Sequence, residues 1–450
     1  MTEAKRRLTL TAIISIIFFN VCGGPYAIEG VVGAGPGLAT LLIILTPLVW
    51  SVPMALVCAE LGTAIPEEGG YYAWTRRTSG PFLAFCQGWW SWLFTVVDIG
   101  TYPTMMCDYA AYFVPALGEE GNFWARRGLM VGMVWIFVLL NLRGSKIVGD
   151  FSRIFTVLVL LPFVLLVGIG IWRGLTVGID HHPVSPFLAP GKGFSVLLAG
   201  TLPMVLWNYL GWDSVSTIAG EMENPRRDYP RALAVAVVLI ALCYGLPVLT
   251  ALCFFGEADG IRWDSGAWGV VGERLGGVWL GNLMSAMGIV SAIGLFSSLV
   301  LVYSRLPYVM ARDGYFPKVF AKTNRYGAPW VSLVASGCVY SLVVIGFKDL
   351  EAITTVDVTL FTAVMSLEFI AFLVLRRREP ELERPFKVPG GWVGAIAVCA
   401  LPWICAAGGL GCIIAEKGAR DVVGYASLLM LIPVVTNVAA GAGRRMFGRG

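Results

Sequence analysis

Long apolar stretches alternate with short polar ones along nearly the whole chain. Windows of about 19 to 20 apolar residues are long enough to cross a bilayer as helices. They predict twelve spans, at 9–34, 37–63, 81–114, 124–142, 148–172, 195–220, 231–255, 278–306, 329–347, 352–375, 392–415 and 421–441. Two of these runs are interrupted. In FFNVCGGPYAIEGVVGAG, Phe18 to Gly35, the helix that starts at Thr9 meets Gly23, Gly24 and Pro25. Glycine accepts backbone angles that a helix does not use and proline has no N–H, so the hydrogen-bond ladder opens there. In the sixth run, LLAGTLPMVLWNYLGWDSVSTIAGE, apolarity stalls from Trp207 to Asp213, where Asn208, Tyr209, Gly211 and Asp213 are poor choices for a lipid-facing helix.

Open backbone at bilayer depth is tolerated only where it is buried in protein or lines a cavity. The interrupted spans are the first and the sixth, five apart. Broken helices at corresponding places in two halves are the pattern of inverted-repeat secondary transporters, whose substrate sits between the breaks. Gly23, Gly24 and Pro25 at one break, and Trp207, Tyr209, Trp212 and Asp213 at the other, are therefore candidate substrate-binding residues. The three aromatic side chains offer faces that attract ammonium groups and stack on methylene chains.

Composition supports a membrane protein: 57% of the 450 residues are hydrophobic, 14% are charged, and the mean hydropathy is +0.74. Soluble chains carry about 25% charged residues. The longest connection, Arg173 to Phe194, is too short to fold by itself, so residues 1–450 read as one transmembrane domain. The net charge of +4 has a topological origin, because 24 of the 33 Lys and Arg fall on alternate connections. The positive-inside rule puts both termini in the cytoplasm and removes any need for a nucleic-acid partner; the cell membrane is the expected location. MTEAKRR resembles the charged start of a signal peptide, but no A-x-A-like site precedes the Gly-Gly-Pro break, so the first span is expected to be retained. Ten scattered cysteines without a CxxC pair read as small core residues, and His181 and His182 as a solvated loop pair. There is no HExxH, GxSxG or GK[ST] loop, and GAGPG at residues 33–37 neither follows a strand nor opens the right unit. An enzyme, a cofactor, a metal centre and direct ATP drive are not expected.

The charges inside the spans are almost all negative: Glu29, Glu60, Asp98, Asp108, Asp213, Glu221, Asp357 and Glu368, with basic residues only near span ends. A carboxylate at that depth costs roughly 2.5 to 3.5 kcal/mol on insertion scales, so a functional reason is the default. A cationic substrate supplies the missing positive charge, and a spare carboxyl can carry a proton. Glu29, Asp98 and Asp213 are the candidates for binding amines. Tyr102 stands one helical turn beyond Asp98 on the same face. Glu368 is the candidate for proton coupling. Glu60 and Glu221, close to span ends, read as structural or gating residues; Asp108 and Asp357 read as the rim of an access path or a solvated surface.

PEEGGYYAW after the second span, GEMENPRRDYPRA after the sixth, SRLPYVMARDGYFP after the eighth and RPFKVPGG after the tenth resemble the amino acid, polyamine and organocation superfamily of transporters nearly end to end. GGPYAIE, VVDIGTYP, WDSVSTIAGEMENP and LEFIAF are most similar to plant and protozoan polyamine uptake transporters. The resemblance implies an all-α integral membrane fold, a five-plus-five inverted repeat with two extra helices and discontinuous helices 1 and 6, and alternating access. It implies proton-coupled transport of polyamines or related organic cations; an amino acid permease or exchanger, or a transporter-like nutrient sensor, are the alternatives. Two departures stand out. Many amino acid carriers in the superfamily bind the substrate carboxylate with a Gly-small-Gly break, but here the third position is Pro25. Where several proton-coupled members have a lysine in the fifth span, this chain has Val159. No oligomeric state or accessory subunit follows from the sequence.

Overall fold

The computed structural model describes residues 8–118, 121–256, 259–346, 350–417 and 431. Within a bilayer, backbone groups must be satisfied inside their own segment, which favours helices over every other element. The first span is α1 (Leu10–Val21), a 3₁₀ turn at Pro25–Ala27 and α2 (Glu29–Val32). The second is α3 (Pro36–Thr46) and α4 (Val52–Ala64), joined through a widened π turn at Pro47–Ser51. After α5 (Tyr71–Ser79), α6 (Pro81–Asp98) and α7 (Thr101–Ala111) make the third span. Then come α8 (Phe123–Asn141), α9 (Ser145–Thr176), α10 (Phe194–Trp207), a 3₁₀ segment at Ser214–Glu221, and α11 (Pro225–Phe254). The remainder is α12 (Ala267–Gly276), α13 (Val278–Tyr303), α14 (Arg305–Arg312), α15 (Trp330–Gly346), α16 (Leu350–Arg378) and α17 (Gly391–Lys417).

Among the described residues, nine helical stretches have the length and apolarity to cross a membrane, and Phe194–Trp207 and Trp330–Gly346 are shorter apolar helices. Together they cover the first eleven expected spans. The twelfth, 421–441, lies outside the described residues apart from Leu431. Three helices, α5, α12 and α14, were not among the expected spans because each is too short for a membrane-length window. The outward faces of the bundle are apolar, with Leu48, Ile136, Val157, Val164, Val238 and Ile404 all exposed. In water a surface this apolar would be a liability; against lipid chains it is matched to its surroundings.

The first span is the centre of the bundle. α1 packs against α9, α11 and α13, and its Ile13, Ile16, Ile17, Phe18 and Phe19 are fully buried. At the end where α1 starts, Leu8 pairs with Met222, exchanging bonds with Glu221 and Glu223. The same end is closed by ion pairs that hydropathy could not reveal. Glu60, 1% exposed, accepts from Arg376 Nε at 2.8 Å and from the Val388 amide at 2.7 Å, with Arg384 Nε at 3.3 Å. Arg305, also 1% exposed, donates to Glu221 at 3.0 Å. In the RPFKVPGG loop it is thus Arg384 and the Val388 amide that dock on the second span. On α5, outside the spans, Tyr72 and Arg76 both donate to Asp313 at 2.8 Å, and burial together with the Asp313 charge pushes the Tyr72 phenol well up.

Candidate functional site between two broken helices

The two breaks lie against each other. At the first, the amides of Cys22 and Gly23 both return to the Phe18 carbonyl, at 2.8 and 2.9 Å, and the chain leaves the helix through Gly23 and Gly24 with φ of 60° and 99°. At the second, Gly211 has φ 92°, and a Cβ there would lie 2.5 Å from the carbonyl oxygen of Asn20. Only glycine lets the backbones meet this closely. The carbonyls released by the breaks find side-chain donors: Asn208 Nδ2 donates to Ala27 O at 3.0 Å, Tyr244 to Asn208 O at 3.0 Å, and Trp50 to Tyr209 O at 3.0 Å. Ser291 and Trp268 serve Gly23 O and Pro25 O. Open backbone buried in this way is fully compatible with bilayer depth.

Between the breaks is a cavity of about 30 Å³, bordered by Asn20, Asp98, Tyr102, Trp207, Asn208 and Tyr303 among others. Cys22 and Ala27 line it from the first break, on either side of Gly23, Gly24 and Pro25. Asp98 is held by two neutral donors, the Tyr102 hydroxyl at 2.6 Å and the Trp207 indole N–H at 3.1 Å. It is 2% exposed, and among the described residues no Lys, Arg or His pairs with it. Asp357 is fully buried, close enough to Asp98 to feel its charge, and within reach of the same Trp207 indole. The expectation of a rim or solvated position for Asp357 therefore gives way to a fully buried one near Asp98. Asp108, by contrast, is partly exposed and paired with Arg126 at 2.6 Å.

The other sequence candidates are spread through the bundle. Glu29 is buried two helical turns further along α7 from the cavity tyrosine, where it accepts from the Tyr109 hydroxyl. Asp213 and Glu368 lie within hydrogen-bonding reach of each other and do not border the cavity. Tyr209 donates to Ile43 O at 3.2 Å and its ring sits edge-on to Tyr244, 5.0 Å between centroids; Trp212 is fully buried. Of the three aromatics at the second break, Trp207 is the one that borders the cavity. Val159 packs against Gly24, where a Cβ would come within 2.8 Å of its Cγ1. Asn20, Tyr244 and Tyr303 escaped sequence reasoning. A lone asparagine in an apolar run was a usable signal for Asn20, which bonds Ser298 Oγ at 2.6 Å; nothing local marks the two tyrosines.

Residues 8–415 match the amino acid permease family. The chain belongs to that family. The permease is 35% identical over 400 residues to the polyamine transporter RMV1 of Arabidopsis thaliana, covering 89% of this chain and 79% of the relative. It is 33% identical over 408 residues to the polyamine transporter PUT1 of Oryza sativa subsp. japonica, covering 89% and 73%. The resemblance read from the motifs is confirmed, and the permease is a membrane transporter and not an enzyme.

Proposed function

We propose that this permease carries polyamines or related organic cations across the cell membrane, driven by protons, with both termini in the cytoplasm. The observation that carries the reading is the buried Asp98 carboxyl at the cavity, with the buried Asp357 close enough to feel its charge, and among the described residues no basic side chain pairs with either. Leaving a charge unanswered in a dry interior is expensive, and an ammonium ion removes that cost. Tyr102 and Trp207 fix the Asp98 carboxylate, so its remaining lone pairs face the incoming cation. Phe94, Trp207 and Tyr303 border the same space and provide aromatic faces for ammonium and methylene groups. Glu29 is a second station for an amine along α7, and Glu368 is the residue proposed to carry the proton. The similarity to relatives named as polyamine transporters supports the substrate class.

The break itself argues for amines over amino acids. The amides of Cys22 and Gly23 are bonded to Phe18 O, that of Gly24 faces the Cys22 sulfur at 3.3 Å, and Pro25 has none. From Cys22 to Pro25 no amide is left to cradle a substrate carboxylate. A cavity of 30 Å³ suits a water or two, since one needs about 10 to 15 Å³, so loading a polyamine requires the walls to part, and the breaks are natural hinges. The test is uptake of labelled putrescine or spermidine into proteoliposomes under an inward proton gradient, competed with neutral and cationic amino acids. Asp98→Asn should weaken apparent amine affinity by about 10- to 100-fold, the worth of one charged hydrogen bond. No gradient-driven accumulation of polyamine, with labelled amino acids accumulated instead, would refute the reading.

A further inference from the structure

We propose that Asp213 and Glu368 share a single proton, and that this proton fastens the segment after the second break to α16. The inference rests on the proton-driven reading above and makes it specific; it also moves Asp213 from the substrate to the coupling machinery. Both residues are buried, Asp213 at 2% exposure and Glu368 at 0%. Asp213 Oδ1 and both oxygens of Glu368 have no donor. Two ionised carboxylates are acceptors only, so groups within reach of each other bond only when one of them carries a proton.

The surroundings fit a proton and not a fixed cation. The titratable groups that face the pair are Cys58 from α4, Tyr71 from α5, Tyr229 from α11 and Tyr303 from α13. Among the described residues, no Lys, Arg or His is one of them. The hydroxyl of Tyr229 is buried without a hydrogen-bond partner, so it is a spare donor for a carboxylate that has just lost its proton. Tyr303 borders the amine cavity and is close enough to feel the charges of both Asp98 and Asp213.

The position of the pair gives the proton a mechanical role. Asp213 immediately precedes the 3₁₀ segment Ser214–Glu221, which runs to the end of the bundle closed by Leu8 and Arg305. With the proton present, an O–H···O bond ties that segment to α16. When it leaves to water, two like charges remain in a dry wall and repel, and the segment is released toward that end. The proton returns from the other side of the membrane to one carboxylate oxygen; nothing else is consumed.

Difference infrared spectroscopy of the purified full chain, followed through a pH titration, reads the shared proton directly. Wild type should show a carboxylic acid C=O band at neutral pH that disappears in Glu368→Gln and in Asp213→Asn. The exchanged double variant, D213E with E368D, should recover it. In proteoliposomes at zero voltage, an imposed gradient of one pH unit supports up to about tenfold accumulation if one proton moves per amine. Each single variant should fall to no accumulation while equilibrium exchange of amine stays within about threefold, an uncoupling that simple misfolding does not produce. Absence of the acid band in wild type, or full accumulation in both single variants, would overturn the proposal. Accumulation driven by sodium and indifferent to pH would do the same. Should wild type move no amine at all, the substrate reading fails, and the infrared band still decides whether the pair shares a proton.

Discussion

Glu60→Gln is the sharpest test of how the closed end of the bundle is held. The wild-type carboxylate accepts from Arg376 through two nitrogens, from the Val388 amide at 2.7 Å and from Arg384 at 3.3 Å. The side chains of Arg376 and Arg384 are only 6% and 7% exposed, so water cannot take over. Removing one partner of a buried ion pair costs about 3 to 5 kcal/mol. The low end applies here, because Arg376 retains the carbonyls of Gly391 and Val388, at 2.8 and 3.1 Å, and Arg384 retains those of Leu382, Leu375 and Glu379. Glutamine has the same shape, so the loss is one of charge and not of packing. Roughly 1 to 2 °C per kcal/mol for a chain of this size translates the loss into a fall of about 3 to 6 °C in apparent Tm, measured in one detergent by loss of the monodisperse peak after heating. In the double variant E60Q with R376M, which leaves one guanidinium fewer without a counter-charge, part of the loss should return. A single variant as stable as wild type would show that the cluster does not hold this end together.

Three other outcomes follow from the site. Gly211→Ala puts a methyl 2.5 Å from the Asn20 carbonyl at a φ of 92°, and backbone strain of about 1 to 3 kcal/mol should lower Tm and abolish transport; unchanged uptake would mean that the breaks need not touch. Asn208→Leu removes the donor that joins the second break to Ala27 O and leaves that carbonyl dry, costing about 1 to 3 kcal/mol, seen as reduced thermal stability. Tyr102→Phe removes one of two donors to Asp98 and should raise the apparent KM for an amine by roughly 3- to 10-fold, the value of one ordinary hydrogen bond, with little change in stability. A KM that stays at the wild-type value would separate Tyr102 from substrate binding.

What the sequence by itself determined is whatever depends on neighbours along the chain. The length of an apolar run decides that a segment spans a bilayer, and Gly23, Gly24 and Pro25 decide locally that a helix cannot continue; these features were legible at once. The bond of Tyr102 to Asp98 was legible too, because four residues along a helix put both on one face. What only the tertiary structure decided is which polar groups meet across the bundle. Trp207 reaches Asp98 over 109 residues and Arg376 reaches Glu60 over 316, through helix packing that no local period encodes. Eight carboxylates looked alike as single acidic letters in apolar text, yet packing sorts them by partner: Glu60, Glu221 and Asp108 against arginines, Glu29 against a tyrosine, Asp98 at a cavity with Asp357 near it, Asp213 against Glu368. The cost of burying a charge is met by whatever stands opposite it, and that is a property of the folded bundle alone.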